Sequence, residues 1–258
     1  MVKLNREILL KQIKNLDDLY QMKKILDKCE IVMNTCTNLS SDFLNPHEIK
    51  LAISILNSFD VSFSIDGGYD EAEYAVISIY PSFLNEPKDD PISCLKFLSI
   101  DGIKHNNVLG SLLGLGIDRR KIGDILIGEK FTYFFVKTEL KNFIISNFKN
   151  ISKNSINIYE KNNKDLLPHK EYSYKKIIVS SLRLDTFLSG ALNISRNKVN
   201  NIIARDLVKI NFTETNNIST KLKEGDILSI RKKGRIVFDK ILKTTNKDKF
   251  ICQIKIPK

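Results

Sequence analysis

The feature that most constrains the fold is the order of elements between residues 92 and 160. Apolar runs typical of strands alternate there with segments of helical period, and the order they predict is strand, helix, strand, strand, helix, strand. This is the split βαβ, or ferredoxin-like, arrangement, which many RNA-recognition domains share. Because a fold does not by itself define a function, the order indicates an RNA-binding class by analogy only.

The flanking segments predict an α+β protein with three structured parts. Helical spacing dominates the beginning, and Asn45 followed by Pro46 is typical of a helix start. A polar stretch with one proline, residues 161–174, indicates a linker. We therefore expect a helical N-terminal region at 1–60, a ferredoxin-like (RRM-like) βαββαβ domain at 61–160, a linker at 161–180 and a small domain at 181–258.

The formal net charge of +11 is concentrated near the C-terminal end. Residues 181–258 hold 17 basic and 7 acidic residues, whereas residues 1–180 hold 24 and 23. A third of the chain that carries nearly all the net charge is typical of a nucleic-acid binder, although a solvated basic surface without a partner is the alternative.

Two short helices that meet at a tight corner are predicted at the start of the basic segment. The second helix begins at Ser195, whose hydroxyl suits an N-cap. Short strands are expected at 207–211, 226–231 and 235–241. The apolar residues that define the buried faces of the two helices are Leu184, Phe187, Leu188, Ala191, Val199, Ile202 and Ile203.

Arg196 and Lys198 occupy the first turn of the second predicted helix, where the macrodipole repels cations by roughly 0.3 to 1 kcal/mol each. An anion that docks there would offset this repulsion, because free backbone N–H groups and two cations together form a phosphate site. The residues expected to contact phosphates are Arg183, Arg196, Lys198, Arg205 and Lys209, and those expected to form orienting hydrogen bonds are Ser195, Asn201 and Asn211.

Two further basic runs allow alternative interpretations. Lys232, Lys233 and Arg235 lie on a predicted hairpin turn, which is either another RNA contact or a solvated turn. Arg119 and Arg120 follow a predicted helix, and they are either a second RNA contact or partners of its C-terminal dipole.

The C-terminal segment resembles the S-four (alpha-L) RNA-binding module. That module is found in a ribosomal small-subunit protein, in pseudouridine synthases and in tyrosyl-tRNA synthetases, and the resemblance implies a small alpha-L domain. Asp206 and Phe212 stand where that family usually has glycines. The pattern Arg-Leu-Asp, Ser-Arg, Val-x-x-Asn and Leu-Lys-x-Gly-Asp is matched at 183–185, 195–196, 208–211 and 222–226.

Over nearly the full chain, the sequence is similar to the YlmH family of ribosome-associated proteins. The matching stretches are SDFLNP, DGGYDEAE and HNNVLGSLLGLGIDRRKIGDIL, whereas Tyr74 and Asn106-Asn107 replace residues that are usually Arg and Arg-Asp. The resemblance implies a non-catalytic factor that binds the large ribosomal subunit, contacts ribosomal RNA and tRNA or peptidyl-tRNA, and acts in rescue or quality control of stalled nascent chains. The double change Arg196→Glu and Lys198→Glu is then expected to release the protein from ribosomes and to leave its fold intact.

Two other functional classes remain open at the level of sequence. A pseudouridine synthase or an rRNA methyltransferase would use the same module to bind substrate. However, Asp185 falls within the module's own first helix, and the Gly-rich turn of a methyltransferase is missing after an early strand. A DNA-binding or cell-division scaffold would use the same basic face.

Other functions are disfavoured by what the sequence does not contain. The four cysteines and three histidines are dispersed, so neither a metal site, a disulfide framework nor a cofactor is expected. No apolar run approaches the roughly 18 residues of a membrane span, and the first residues do not resemble a secretory signal. We expect a cytoplasmic monomer without a membrane partner.

Overall fold

The computed structural model describes residues 6–11, 13, 15–162, 166–245 and 248–257. Its chain divides into two compact units, Met1–His169 and Lys170–Lys258. The elements of the first unit are α1 (Arg6–Leu10), α2 (Leu16–Thr35), β1 (Leu39–Ser40), α3 (Pro46–Leu56), β2 (Val61–Asp66), β3 (Val76–Pro81), β4 (Ile92–Leu98), α4 (His105–Gly114), β5 (Ile122–Ile127), β6 (Phe131–Lys137), α5 (Lys141–Asn147), β7 (Asn150–Ile151), β8 (Asn154–Ser155) and β9 (Tyr159–Glu160).

The first layer of this unit packs α2 and α3 on a three-stranded antiparallel sheet of order β1-β3-β2. Asn45 caps α3 as the sequence predicts, and Glu48 completes a capping box. The boundary expected at residue 60 is wrong, because β2 and β3 belong to the same layer as the N-terminal helices. The region is thus not purely helical. β2 was missed because its half-buried side chains, in the sequence VSFSID, lack the apolar run of a fully buried strand.

The second layer contains β4, α4, β5, β6, α5 and β9, in the predicted element order, with the small β7–β8 hairpin inserted before the last strand. The antiparallel sheet has the order β5-β6-β4-β9. The apolar side chains of α4 and α5, among them Val108, Leu112 and Ile144, join Phe97 and Phe134 of the sheet in one core. The ferredoxin-like description remains our interpretation of this order.

The opposite face of this sheet is also covered. Phe43 packs there with Tyr133 and Phe135, and Tyr69 stacks on Phe135 with ring centroids 4.9 Å apart. The hydroxyl of Tyr69 donates to the buried carboxylate of Asp124 at 2.5 Å. Many RNA-recognition domains stack bases on such a sheet face, but here the aromatic side chains pack within the first unit.

The second unit is one six-stranded antiparallel sheet of order β10-β15-β14-β13-β11-β12, with two helices packed on one face. The predicted corner of two helices and the three predicted strands are present. The elements are β10 (Tyr172–Val179), α6 (Leu184–Leu192), α7 (Arg196–Ala204), β11 (Val208–Ile210), β12 (Thr213–Glu214), β13 (Ile227–Ile230), β14 (Gly234–Thr244) and β15 (Phe250–Pro257).

The linker expected at 161–180 needs correction. Residues 163–165 lie outside the described residues, but 172–179 form β10, which pairs with β15 along its whole length. Only Ile177 and Val179 of β10 are buried, because an edge strand packs one face on a core and pairs on one side. The strand is therefore polar enough to be mistaken for a linker, and the C-terminal unit begins before residue 181.

Candidate nucleic-acid interface

The corner between α6 and α7 is fixed by apolar packing and by two caps. Phe187, Leu188, Val199 and Ile203 are buried on the sheet side of the helices. Asn193 ends α6 in a left-handed conformation with a φ of 53°, a backbone state that Asn tolerates better than most residues. Only two residues separate Asn193 from the start of α7, so the first turn of α7 is held close to the end of α6.

Ser195 is the N-cap of α7, as predicted. Its hydroxyl oxygen accepts a hydrogen bond from the backbone N–H of Lys198 at 3.5 Å. Because a hydroxyl both accepts and donates, its proton remains available for an external acceptor. The helix start is therefore stabilised without using the donor that we expect to face RNA.

Asp185 organises the corner, and its role was missed at the level of sequence. Its carboxylate is only 1% exposed, forms an ion pair with Arg196, accepts from Arg183 Nε at 3.1 Å and accepts from the backbone N–H of Thr186 at 2.9 Å. Burial raises the pKa of Asp185, but the hydrogen bonds from Arg183 and Arg196 outweigh this effect and lower the pKa to about 2. The carboxylate therefore brings together two of the arginines that we predicted to contact phosphates.

This ion pair gives a structural reason for Arg196 at the start of α7. The cation in the first turn of α7 is compensated by Asp185, so it does not by itself imply an external anion. We do not retain the expectation that Arg196→Glu leaves the fold intact, because the new carboxylate would face the buried Asp185 carboxylate. Arg196 is therefore unsuitable for a clean binding test.

Lys198, Asn201 and Arg205 lie on one face of the second helix, at intervals of three and four residues, and all three are exposed. We call them the basic helix face. Their side chains form neither an ion pair nor a hydrogen bond within the part of the chain that the structure describes. At 1.5 Å of rise per residue the face spans roughly 10 Å, which is about three nucleotides of a duplex strand.

The remaining C-terminal candidates lie on or beside the sheet, apart from the basic helix face. Lys209 of β11 forms an exposed ion pair with Glu214 at 3.1 Å. Asn211 is engaged by the residues at the start of β13: its amide donates to Asp226 at 2.8 Å, and its oxygen accepts from the N–H of Ile227 at 2.9 Å. We therefore remove Asn211 from the proposed RNA contacts.

The basic hairpin turn between β13 and β14 is present where the sequence predicts it. Lys232 and Lys233 are exposed. Lys232 and Gly234 have positive φ values of 65° and 94°. Arg235 lies at the start of β14, and its guanidinium carbon is 5.4 Å from the ring centroid of Phe212.

Asp206 and Phe212, the two residues that replace family glycines, both keep the backbone conformation that glycine would favour. Their φ values are 54° and 71°. Phe212 follows Asn211, whose φ is 48°, so the two-residue turn between β11 and β12 has the positive angles of a type I′ hairpin. A bulky residue in this region is uncommon, and here the two-residue hairpin requires the positive φ.

Arg119 and Arg120 are engaged within the first unit. Arg119 donates to the carbonyl of Ile122 at 2.5 Å and lies over the ring of Tyr74 at 4.8 Å. Arg120 forms an ion pair at 2.8 Å with Glu48, which is 3% exposed. Because both guanidinium groups have internal partners, we do not include them in the proposed RNA-binding surface.

The described residues contain no group of three or more His, Cys, Asp or Glu side chains that could hold a metal ion. Burial raises the pKa of the Cys29 thiol to about 12 and that of Cys252 to about 11, which disfavours the reactive thiolate. None of the helices in the described ranges combines the length and the apolar composition that a membrane crossing requires.

Comparison with known proteins gives two family matches within this chain. Residues 17–84 match the model "YlmH, N-terminal", and residues 94–165 match the model "Putative RNA-binding domain in YlmH". The two ranges follow the two layers of the first unit. Both matches end before the C-terminal unit, so the S-four assignment remains a prediction.

Individual relatives agree with these matches. The chain is 31% identical over 218 residues to "Ribosome-associated protein quality control protein P2" of Bacillus subtilis, covering 81% of this chain and 84% of the relative. A solved structure, "Cell division protein ylmH from Streptococcus pneumoniae", has a TM-score of 0.51 at 23% identity and covers 58% of this chain and 94% of that one. The likeness to the solved structure concerns the fold alone.

Fold and surface define a class: an α+β protein of two units, the second of which carries a basic helix corner. The identity and coverage of the curated relative assign the family. The chain belongs to the YlmH family.

Proposed function

We propose that this protein is a non-catalytic RNA-binding factor that acts on the ribosome. The observation that carries the proposal is the basic helix face, where Lys198 and Arg205 are exposed without an acidic partner in the described chain. Their unit, Lys170–Lys258, holds 20 basic and 8 acidic residues. Such a surface binds the phosphate backbone of folded RNA, and Ser195 and Asn201 supply hydrogen bonds to sugars or base edges.

The names of the relatives give this binding a cellular context. One is a ribosome-associated quality control protein, and one family model describes an RNA-binding domain. We infer that the target is ribosomal RNA of the large subunit, with tRNA or peptidyl-tRNA as a second ligand, and that the protein acts in quality control of stalled nascent chains.

We propose that the protein binds RNA without catalysing a reaction on it. In the Arg-Leu-Asp run that a pseudouridine synthase would use for catalysis, Asp185 is buried and committed to Arg183 and Arg196. A carboxylate held in this way is a structural group and is not placed to attack a base.

The test is a double charge reversal on the basic helix face, Lys198→Glu with Arg205→Glu, in the full chain. We expect the variant to lose co-sedimentation with large ribosomal subunits in a gradient while its unfolding midpoint stays close to that of the unmodified protein. The matched control is Lys23→Glu with Lys50→Glu, two exposed lysines of the first unit that give the same change in net charge. Equal co-sedimentation of both double variants would contradict the proposal.

A further inference from the structure

The six-stranded sheet has one face that α6 and α7 leave open. Directly opposed residues of an antiparallel pair share a face, and the register places Tyr174 opposite Lys255 and Lys255 opposite Val237. On β10, Ile177 and Val179 belong to the core on the helix side. The residues that alternate with them therefore lie on the opposite side of the sheet. We call the open side the outer sheet face and define it by Tyr174, Lys176, Ile178, Arg235, Lys243 and Lys255.

Two large side chains on the outer sheet face are exposed. Tyr174 is 60% and Ile178 is 61% exposed, and each lies two positions from Lys176 on the edge strand. Single exposed apolar residues are common on proteins. Here, however, an aromatic ring and an apolar side chain flank Lys176 on one face of the edge strand, which is a composition suited to nucleic-acid bases and phosphates.

The charge on this face is positive beyond its internal ion pairs. Asp239 is paired with Lys255 at 2.6 Å and accepts from Gln253 at 2.7 Å. Lys176 and Lys243 are exposed and form no salt bridge within the described chain. The face therefore presents uncompensated ammonium groups to an anionic ligand.

Two aromatic rings lie beside cations at separate points of this sheet. Lys255 is 6.0 Å from the ring centroid of Tyr174, and Arg235 is 5.4 Å from that of Phe212. Phe212 lies in the turn between β11 and β12, and four strand spacings separate β10 from β11, so the two rings are placed roughly 19 Å apart across the sheet.

We propose that the outer sheet face binds a single-stranded RNA segment, whose bases stack on Tyr174 and Phe212 while Lys176, Lys243 and Arg235 contact its phosphates. Stacking requires unpaired bases, which a duplex does not present. The inference rests on the proposed function only in taking RNA as the ligand. It assigns a second surface on the opposite side of the sheet from α7.

The test uses the full chain and two labelled RNAs, an unstructured one of about 12 nucleotides and a stable hairpin, with binding followed by fluorescence anisotropy. Tyr174→Leu removes the ring and keeps apolar bulk. We expect it to raise the Kd for the unstructured RNA at least about fivefold, the lower end of the effect of losing one stacked base. Lys176→Glu is expected to act in the same direction, and hairpin binding should stay unchanged in both variants.

The matched controls are Tyr159→Leu, an exposed tyrosine on a strand of the first unit, and Lys23→Glu. Photocrosslinking of a 4-thiouridine RNA, mapped by mass spectrometry, should label Tyr174 or Phe212. Unchanged affinity in both outer-face variants, or no crosslink on this face, would overturn the inference. So would variants that lose ribosomes but keep the unstructured RNA, which would indicate a protein partner. None of these results would affect the α7 double variant, so the two proposals fail separately.

Discussion

At the scale of single residues, the clearest lesson concerns Asp185. A sequence pattern marks it as part of an Arg-Leu-Asp run, but the structure shows a buried carboxylate that accepts from two arginines. The arginines are 38% and 55% exposed at their side chains. Removing them therefore leaves a buried charge unpaired, whereas removing Asp185 leaves two cations that water can solvate.

The first prediction concerns acid stability through Asp185. Its pKa is lowered to about 2, below the ordinary value of about 3.9. The ionised pair therefore stabilises the fold above about pH 4, and this contribution, roughly 2 to 3 kcal/mol, is lost as the pH falls towards 2.

We expect Arg183→Met with Arg196→Met to lower the free energy of unfolding at pH 7 by about 3 kcal/mol, because the Asp185 carboxylate stays buried without a partner. The pKa of that carboxyl should then be raised. The free energy of unfolding of the variant should therefore increase, relative to that of the unmodified protein, as the pH is lowered from 7 to 5. Urea unfolding at both pH values measures this. The control Lys198→Met removes an exposed cation of the same helix, and an equal loss in the control would argue against the role of Asp185.

At the scale of elements, β10 shows how an edge strand can look like a linker. Its residues alternate between core and solvent only near its C-terminal end, where Ile177 is 4% and Ile178 is 61% exposed. The strand also closes the core over α6, since a Cβ added at Gly190 would lie 2.9 Å from Val179. Residues 172–179 are thus part of the C-terminal domain rather than a tether to it.

The second prediction compares two neighbouring residues of β10. Ile177→Ala should lower the free energy of unfolding of the second unit by about 2 to 5 kcal/mol, because it removes buried methyl groups and leaves a cavity. Ile178→Ala, on the open face, should change it by less than about 0.5 kcal/mol. Thermal unfolding followed by circular dichroism distinguishes them. If 172–179 were a linker, both changes would be neutral.

At the scale of the whole molecule, charge is divided between the units. Lys170–Lys258 carries 20 basic and 8 acidic residues, and Met1–His169 carries 21 and 22. In the first unit, Arg120 and Lys121 are used in ion pairs with Glu48, Asp42 and Glu139. We therefore attribute the electrostatic part of RNA binding to the second unit.

The third prediction follows from this division. The logarithm of the binding constant for a ribosomal RNA fragment should fall linearly with the logarithm of the salt concentration, with a slope of about −0.7 to −0.9 for each neutralised phosphate. Residues 170–258 alone should give the same slope as the full chain. A slope for the full chain steeper by more than about one unit would show that the first unit, which contains the range matched by the RNA-binding family model, also neutralises phosphates.

The sequence by itself determined the local elements and the distribution of charge. Helical caps such as Asn45 and Ser195, the apolar periods of the strands and the basic C-terminal third act through neighbouring residues, so they can be recognised along the chain. The helix corner and the basic helix face follow from the same local signals.

Only the tertiary structure decided which charges are available to a ligand. Arg120 meets Glu48 across 72 positions, Arg196 meets Asp185 across 11, and Asn211 meets Asp226 across 15. The outer sheet face likewise exists only because β10 pairs with β15, some 80 residues further along the chain. Such contacts depend on how distant segments pack. The sequence alone therefore does not show whether a basic residue will pair with a carboxylate of the same chain or with a phosphate of another molecule.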